Sequence, residues 1–73
     1  MQIPITPPYI KLSSLLKFAG IAETGGHATD LILNGDVILN GQPCLMRGKK
    51  IVPGDIIKIE KDTIKETIEI ICK

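Results

Sequence analysis

Aromatic side chains are nearly missing from this chain: Tyr9 and Phe18 stand alone and tryptophan is absent. Reading bases by stacking them on a sheet needs exposed rings, so that mode of nucleic-acid recognition is excluded as the main one. Cysteine is scarce too. Cys44 and Cys72 lie far apart with His27 as the one other soft ligand, which indicates neither a zinc site nor a disulfide framework, but two thiols in the cytoplasm. No apolar run is long enough to cross a bilayer. The opening Met1-Gln2-Ile3-Pro4-Ile5-Thr6-Pro7-Pro8 lacks the charged start and apolar stretch of a signal peptide. A cytoplasmic protein with no membrane partner is expected.

Acid is also absent over one interval. Between Asp36 and Asp55 there is no Asp or Glu, and Arg47, Lys49 and Lys50 fall there. The net charge of +1 excludes a nonspecific nucleic-acid wrapper or a polybasic anchor, while the local cluster still makes a positive surface. Beyond Asp55 acids and lysines alternate, as on a solvated face. No nucleophile with a base, carboxylate pair or ligand cluster converges, so no catalysis, no cofactor and no metal are expected.

What is present is aliphatic patterning on a short chain. Seventy-three residues form one domain, and a chain this size hides only roughly 60% of the surface it exposes unfolded. Leu12, Leu15, Leu16 and Ala19 recur at helical spacing, with Ser13 a candidate N-cap and Gly20 a stop. Thr24 is placed to cap a second helix with Ala28, Leu31 and Ile32 on its apolar stripe, closed by Asn34-Gly35. Val37-Ile38-Leu39 then runs into Asn40-Gly41, a strong hairpin signal because both turn positions need positive φ. The return strand is expected through Cys44 and Leu45.

Arg47-Gly48 marks a bend, and Val52-Pro53-Gly54-Asp55 fits a type II turn ahead of a strand with Ile57 and Ile59 on one face. Ile3 and Ile5 allow an edge strand before Pro7-Pro8, since proline cannot donate to a ladder. The tail from Thr63 to Lys73 suits either a helix or a strand by spacing, and its threonines and isoleucines favour strand. Two helices followed by an antiparallel meander, with terminal strands added, make an α+β domain.

In order and spacing these elements resemble the RNA-binding domain named after small-subunit ribosomal protein S-four, whose helix pair and adjoining antiparallel sheet form the alpha-L motif. The match rests on Leu15-Leu16-Lys17, on Thr24-Gly25-Gly26-His27-Ala28, on Asn34-Gly35-Asp36-Val37 to Asn40-Gly41, and on the basic bend closed by Gly54-Asp55. It covers residues 10–59, leaving 1–9 as an arm or edge strand and 60–73 as a C-terminal strand. The glycine pair and Arg47-Gly48-Lys49-Lys50 resemble the short stand-alone bacterial members in particular. Two positions depart from those relatives, Thr29 and Met46, where basic residues are common.

The resemblance implies a non-catalytic module that binds structured RNA, ribosomal or transfer RNA. The residues supply the chemistry for it: the free amides and dipole of a helix opened by Gly25 and Gly26 hold a phosphate oxygen, and Arg47, Lys49 and Lys50 hold others. Thr24, Lys17 and His27 complete the expected RNA-binding set. Each has a plainer alternative. The glycines give slack between helices, Thr24 is a structural cap, His27 is solvated, Lys17 keeps its helix soluble, and the basic residues form a solvated turn.

A second class of function uses the same fold for a protein partner, through a sheet edge or the Leu33 and Phe18 region, with RNA binding lost. Duplex DNA is a weaker reading, since the second helix offers His27, Thr29 and Asp30 and no arginine for a guanine edge. A sulfur-carrier fold is disfavoured by the ending Ile71-Cys72-Lys73.

Overall fold

The computed structural model describes residues 1–6, 8–62 and 64–73, so Pro7 of the Pro7-Pro8 break and Thr63 at the head of the tail lie outside the described residues. The elements run β1 (Gln2–Ile5), β2 (Ile10–Lys11), α1 (Leu12–Phe18), α2 (Gly25–Leu33), β3 (Val37–Leu39), β4 (Gln42–Pro43), β5 (Lys50–Ile51), β6 (Ile56–Lys61) and β7 (Ile64–Cys72). Both helices lie where their apolar spacing puts them. Leu12, Leu15 and Leu16 of α1 and Ala28, Leu31 and Ile32 of α2 are buried against Val37, Ile57, Ile59, Ile68 and Ile70 of the sheet. Each such Leu or Ile contributes about 1.5–3 kcal/mol by leaving water.

The main sheet has five strands in the order β1-β7-β6-β3-β4, and β2 pairs with β5 in a separate two-stranded sheet. The β3–β4 turn carries Asn40 at φ 50 and Gly41 at φ 88, the left-handed pair expected of Asn-Gly. Gly54 at φ 100 and the Asp55 amide donating to the Val52 carbonyl at 3.1 Å complete the expected turn ahead of β6. The tail is a strand. Its Ile68 lies opposite Ile57 of β6, so the parity that buries Ile68 and Ile70 fills the gap beside the Ile57 and Ile59 face.

Three expectations are corrected. Ser13 does not cap α1: it is the second residue of the helix, and the N-cap is Lys11, whose side chain makes no capping bond. The return strand stops at Pro43, short of Cys44 and Leu45, although the Cys44 amide still donates to the Val37 carbonyl at 3.0 Å. The sheet is mixed, because β1 runs parallel to β7 in the register Ile3 to Ile70 and Ile5 to Cys72.

Both sheet edges carry a proline turned outward. The carbonyls of Met1 and Ile5 accept from Glu69 and Lys73 of the β7 side, so the alternate residue Pro4 presents its nitrogen to the free edge. On β4, Pro43 faces Ile38 between the bonded pairs and likewise points its nitrogen away. Neither nitrogen can donate to an added strand, which blunts both edges against further pairing.

Candidate functional site

The site is built where three segments distant in sequence meet. Lys11 ends β2 and leads straight into α1. The basic bend from Met46 to Lys49 is a tight turn, with the Lys49 amide donating to the Met46 carbonyl at 3.0 Å. Its carbonyls then serve α1: the Leu12 amide donates to the Lys49 carbonyl at 2.9 Å and the Ser13 amide to the Arg47 carbonyl at 3.0 Å. These bonds satisfy two of the amides that a helix start leaves open. The bend is therefore fixed by its backbone, while among the described residues the side chains of Arg47 and Lys49 make no hydrogen bond.

The third segment is the start of α2. Thr24 is its N-cap, and its Oγ1 accepts from the His27 amide at 3.1 Å. His27 reaches back in turn, its Nδ1 accepting from the Glu23 amide at 3.2 Å, an arrangement like a capping box with histidine in the third helical position. Gly25 and Gly26 are the first two helical residues, not slack between helices. Among the described residues their amides donate to nothing.

An open groove of about 550 Å³ lies between these segments. Gly25 and Gly26 form one side, with Thr29 and Asp30 one turn further along α2; Lys11, Ser13 and Arg47 form the other. The Thr29 hydroxyl donates to the Gly25 carbonyl at 2.9 Å. The groove thus offers two cations, two open amides and one carboxylate.

Of the residues expected at the site, Gly25, Gly26 and Arg47 meet in this groove, while Thr24 stands behind it as the cap. Lys49 does not line it. It turns to a separate hollow with Leu45 and Met46. The ammonium of Lys50 sits 5.0 Å from the centroid of the Tyr9 ring, a cation–π contact. Lys17 is exposed in the last turn of α1, where it complements the helix dipole. His27 is occupied with the cap.

Sequence reasoning missed Lys11. It lies directly opposite Lys50 across the β2–β5 pair, a like-charge pairing that costs stability. The one local signal for it was a basic residue immediately before the apolar stripe of α1, and nothing in that signal brings it to Arg47.

A helix pair packed on a small, mostly antiparallel sheet places the chain in the alpha-L class of small α+β domains. The chain belongs to the S4 domain family, whose model matches residues 3–68, a wider span than residues 10–59. It is 34% identical over 58 residues to the "Probable ribosome maturation protein RlbA" of Bacillus subtilis (strain 168), a match covering 80% of this chain and 82% of that protein. Among solved structures it is similar in fold to a trimeric structure of Heat Shock Protein 15 from Vibrio cholerae, with TM-score 0.72 and 23% identity. That likeness covers 82% of this chain, which spans 60% of the other.

Among the described residues no helix is long and apolar enough to cross a membrane.

Proposed function

We propose that the chain is a non-catalytic cytoplasmic module that binds structured RNA by its phosphates, with Arg47, Lys11 and the amides of Gly25 and Gly26 as the grip. The observation that carries this reading is the glycine pair. Neither Gly25 nor Gly26 has positive φ. A Cβ on Gly25 meets nothing within 4 Å, and one on Gly26 meets only Thr24 Oγ1 at 3.8 Å. Packing and backbone strain therefore give no reason for glycine, although alanine in a compatible conformation would stabilise the chain by about 0.4–1 kcal/mol through lower unfolded-state freedom. Close approach of a ligand to the backbone does give one. Arginine and lysine across the groove make that ligand an anion.

Membership of the S4 domain family and the likeness to a ribosome maturation protein support ribosomal RNA as the anion, met during ribosome assembly. Transfer RNA satisfies the same phosphate chemistry. Fluorescence anisotropy with an RNA hairpin at several salt concentrations tests the grip. Replacing Arg47 and Lys11 by alanine should weaken binding and flatten its dependence on log salt by about 0.7–0.9 per lost phosphate contact. Unchanged affinity and slope would remove these residues from the interface. Co-sedimentation of the tagged protein with ribosomal precursor particles, lost in the same variant, tests the ribosomal assignment.

A second reading, a protein partner, is favoured by one observation. Phe18 is 68% exposed beside a hollow of about 270 Å³ that Ile5, Tyr9 and Ile10 also line. Capture of a partner that survives nuclease and high salt, and is lost on Phe18→Ser, would support it.

A further inference from the structure

The groove contains a feature that phosphate binding does not require. Asp30 lies four residues beyond Gly26, and Thr29 four beyond Gly25, so both acceptors stand on the helix face that the open amides begin, and all four residues line the groove. A carboxylate repels phosphate and accepts hydrogen bonds only. Thr29 is an acceptor here as well, because its hydroxyl proton is engaged by the Gly25 carbonyl at 2.9 Å. None of the side-chain hydrogen bonds among the described residues uses the Asp30 carboxylate, and Asp30 is exposed on the groove wall.

The two ends of the groove thus ask for different things of one ligand: a negative group at the glycine amides and Arg47, and a hydrogen-bond donor a turn away at Asp30. A bare phosphate satisfies the first alone, and so does a deoxyribose phosphate backbone. A ribonucleotide satisfies both, because its 2′-hydroxyl is a donor held within one nucleotide of the phosphate. We propose that Asp30, seconded by Thr29, accepts a hydrogen bond from the ribose 2′-hydroxyl of the nucleotide whose phosphate rests on Gly25 and Gly26, and so makes this groove select RNA over DNA. This rests on the phosphate grip proposed above.

The test compares one RNA hairpin with the same hairpin carrying 2′-fluoro sugars, which keep the A-form pucker and the charge but remove the donor. The protein should bind the hydroxyl hairpin about tenfold more tightly, the size of a hydrogen bond to a charged group. Asp30→Ala should bring that ratio close to one while leaving affinity for the fluoro hairpin unchanged or higher, since a negative charge is gone. Arg47→Ala should weaken both hairpins and preserve the ratio. A ratio of one in the parent protein, or an undiminished ratio in Asp30→Ala, overturns the inference and leaves the phosphate grip intact. Binding of neither hairpin, or binding indifferent to Arg47, overturns the grip and the inference with it.

Discussion

The carbonyl of Arg47 accepts a hydrogen bond from the amide of Ser13 at 3.0 Å, tying the basic bend to the first turn of a helix that ends nearly thirty residues earlier. With the Lys49 to Leu12 bond at 2.9 Å beside it, the main chain of the bend is held as part of the helix. A cation at Arg47 therefore reaches the groove from a fixed base, which lowers the ordering cost of gripping an anion.

Gly26→Ala separates folding from binding. The helix gains about 0.4–1 kcal/mol, because the new methyl meets no clash and the unfolded chain loses freedom. That gain raises the midpoint of thermal unfolding, while RNA affinity falls because the methyl stands over the open amide. A variant that is more stable and binds RNA as before would leave the glycine without its proposed reason.

Thr24→Ala removes the acceptor that holds the His27 amide at 3.1 Å. A loss of about 1 kcal/mol is expected, equal to roughly 4–8 °C in the unfolding midpoint of a domain this small. Thr24→Ser, which keeps the oxygen, should recover most of it by calorimetry.

Asn40 joins two turns. Its side-chain amide donates to Asp55 Oδ1 at 3.0 Å, its Oδ1 accepts from the Ile56 amide at 2.8 Å, and Asp55 Oδ2 accepts from the Val52 amide at 3.0 Å. Asn40→Ala loses two bonds worth about 1 kcal/mol each and about 1 kcal/mol more for a left-handed alanine. Asn40→Gly restores the backbone alone. Urea unfolding should therefore rank parent, glycine and alanine in that order of stability.

Lys50 is engaged with Tyr9, so Lys50→Ala should weaken RNA binding less than Arg47→Ala at the same salt. A double-mutant cycle with Tyr9→Ala should give a coupling of about 0.5–1 kcal/mol in stability. Equal losses of affinity for the two cations would place Lys50 in the grip as well.

Thr29→Lys puts a third cation on the groove wall. One added phosphate contact should steepen the salt dependence by about 0.7–0.9 in log–log slope, measured on the same hairpin.

Local signals carried much of the fold. The Leu12, Leu15 and Leu16 stripe, the Ala28, Leu31 and Ile32 stripe, the Asn40-Gly41 turn and the Pro53-Gly54 turn each depend on neighbours within a few residues, and each is where the sequence puts it. Ser13 failed as a cap for the opposite reason. The Leu12 and Ser13 amides find their partners in the carbonyls of Lys49 and Arg47, so the helix begins at Leu12 and draws Ser13 inside it, and no local pattern announces partners so far along the chain. The parallel pairing of β1 with β7 was hidden in the same way, since Ile3 and Ile5 alternate identically in either direction.

By itself the sequence determined which residues turn inward, where the chain turns sharply, and that Arg47, Lys49 and Lys50 share an interval free of acid. Periodicity, glycine and proline act at short range, and so does charge counted along the chain. Only the tertiary structure decided which cations face one groove: Lys11 joins Arg47 there, while Lys49 and Lys50 leave for other surfaces. Neighbouring residues on a turn point apart, and a backbone hydrogen bond can bring together residues that dozens of others separate.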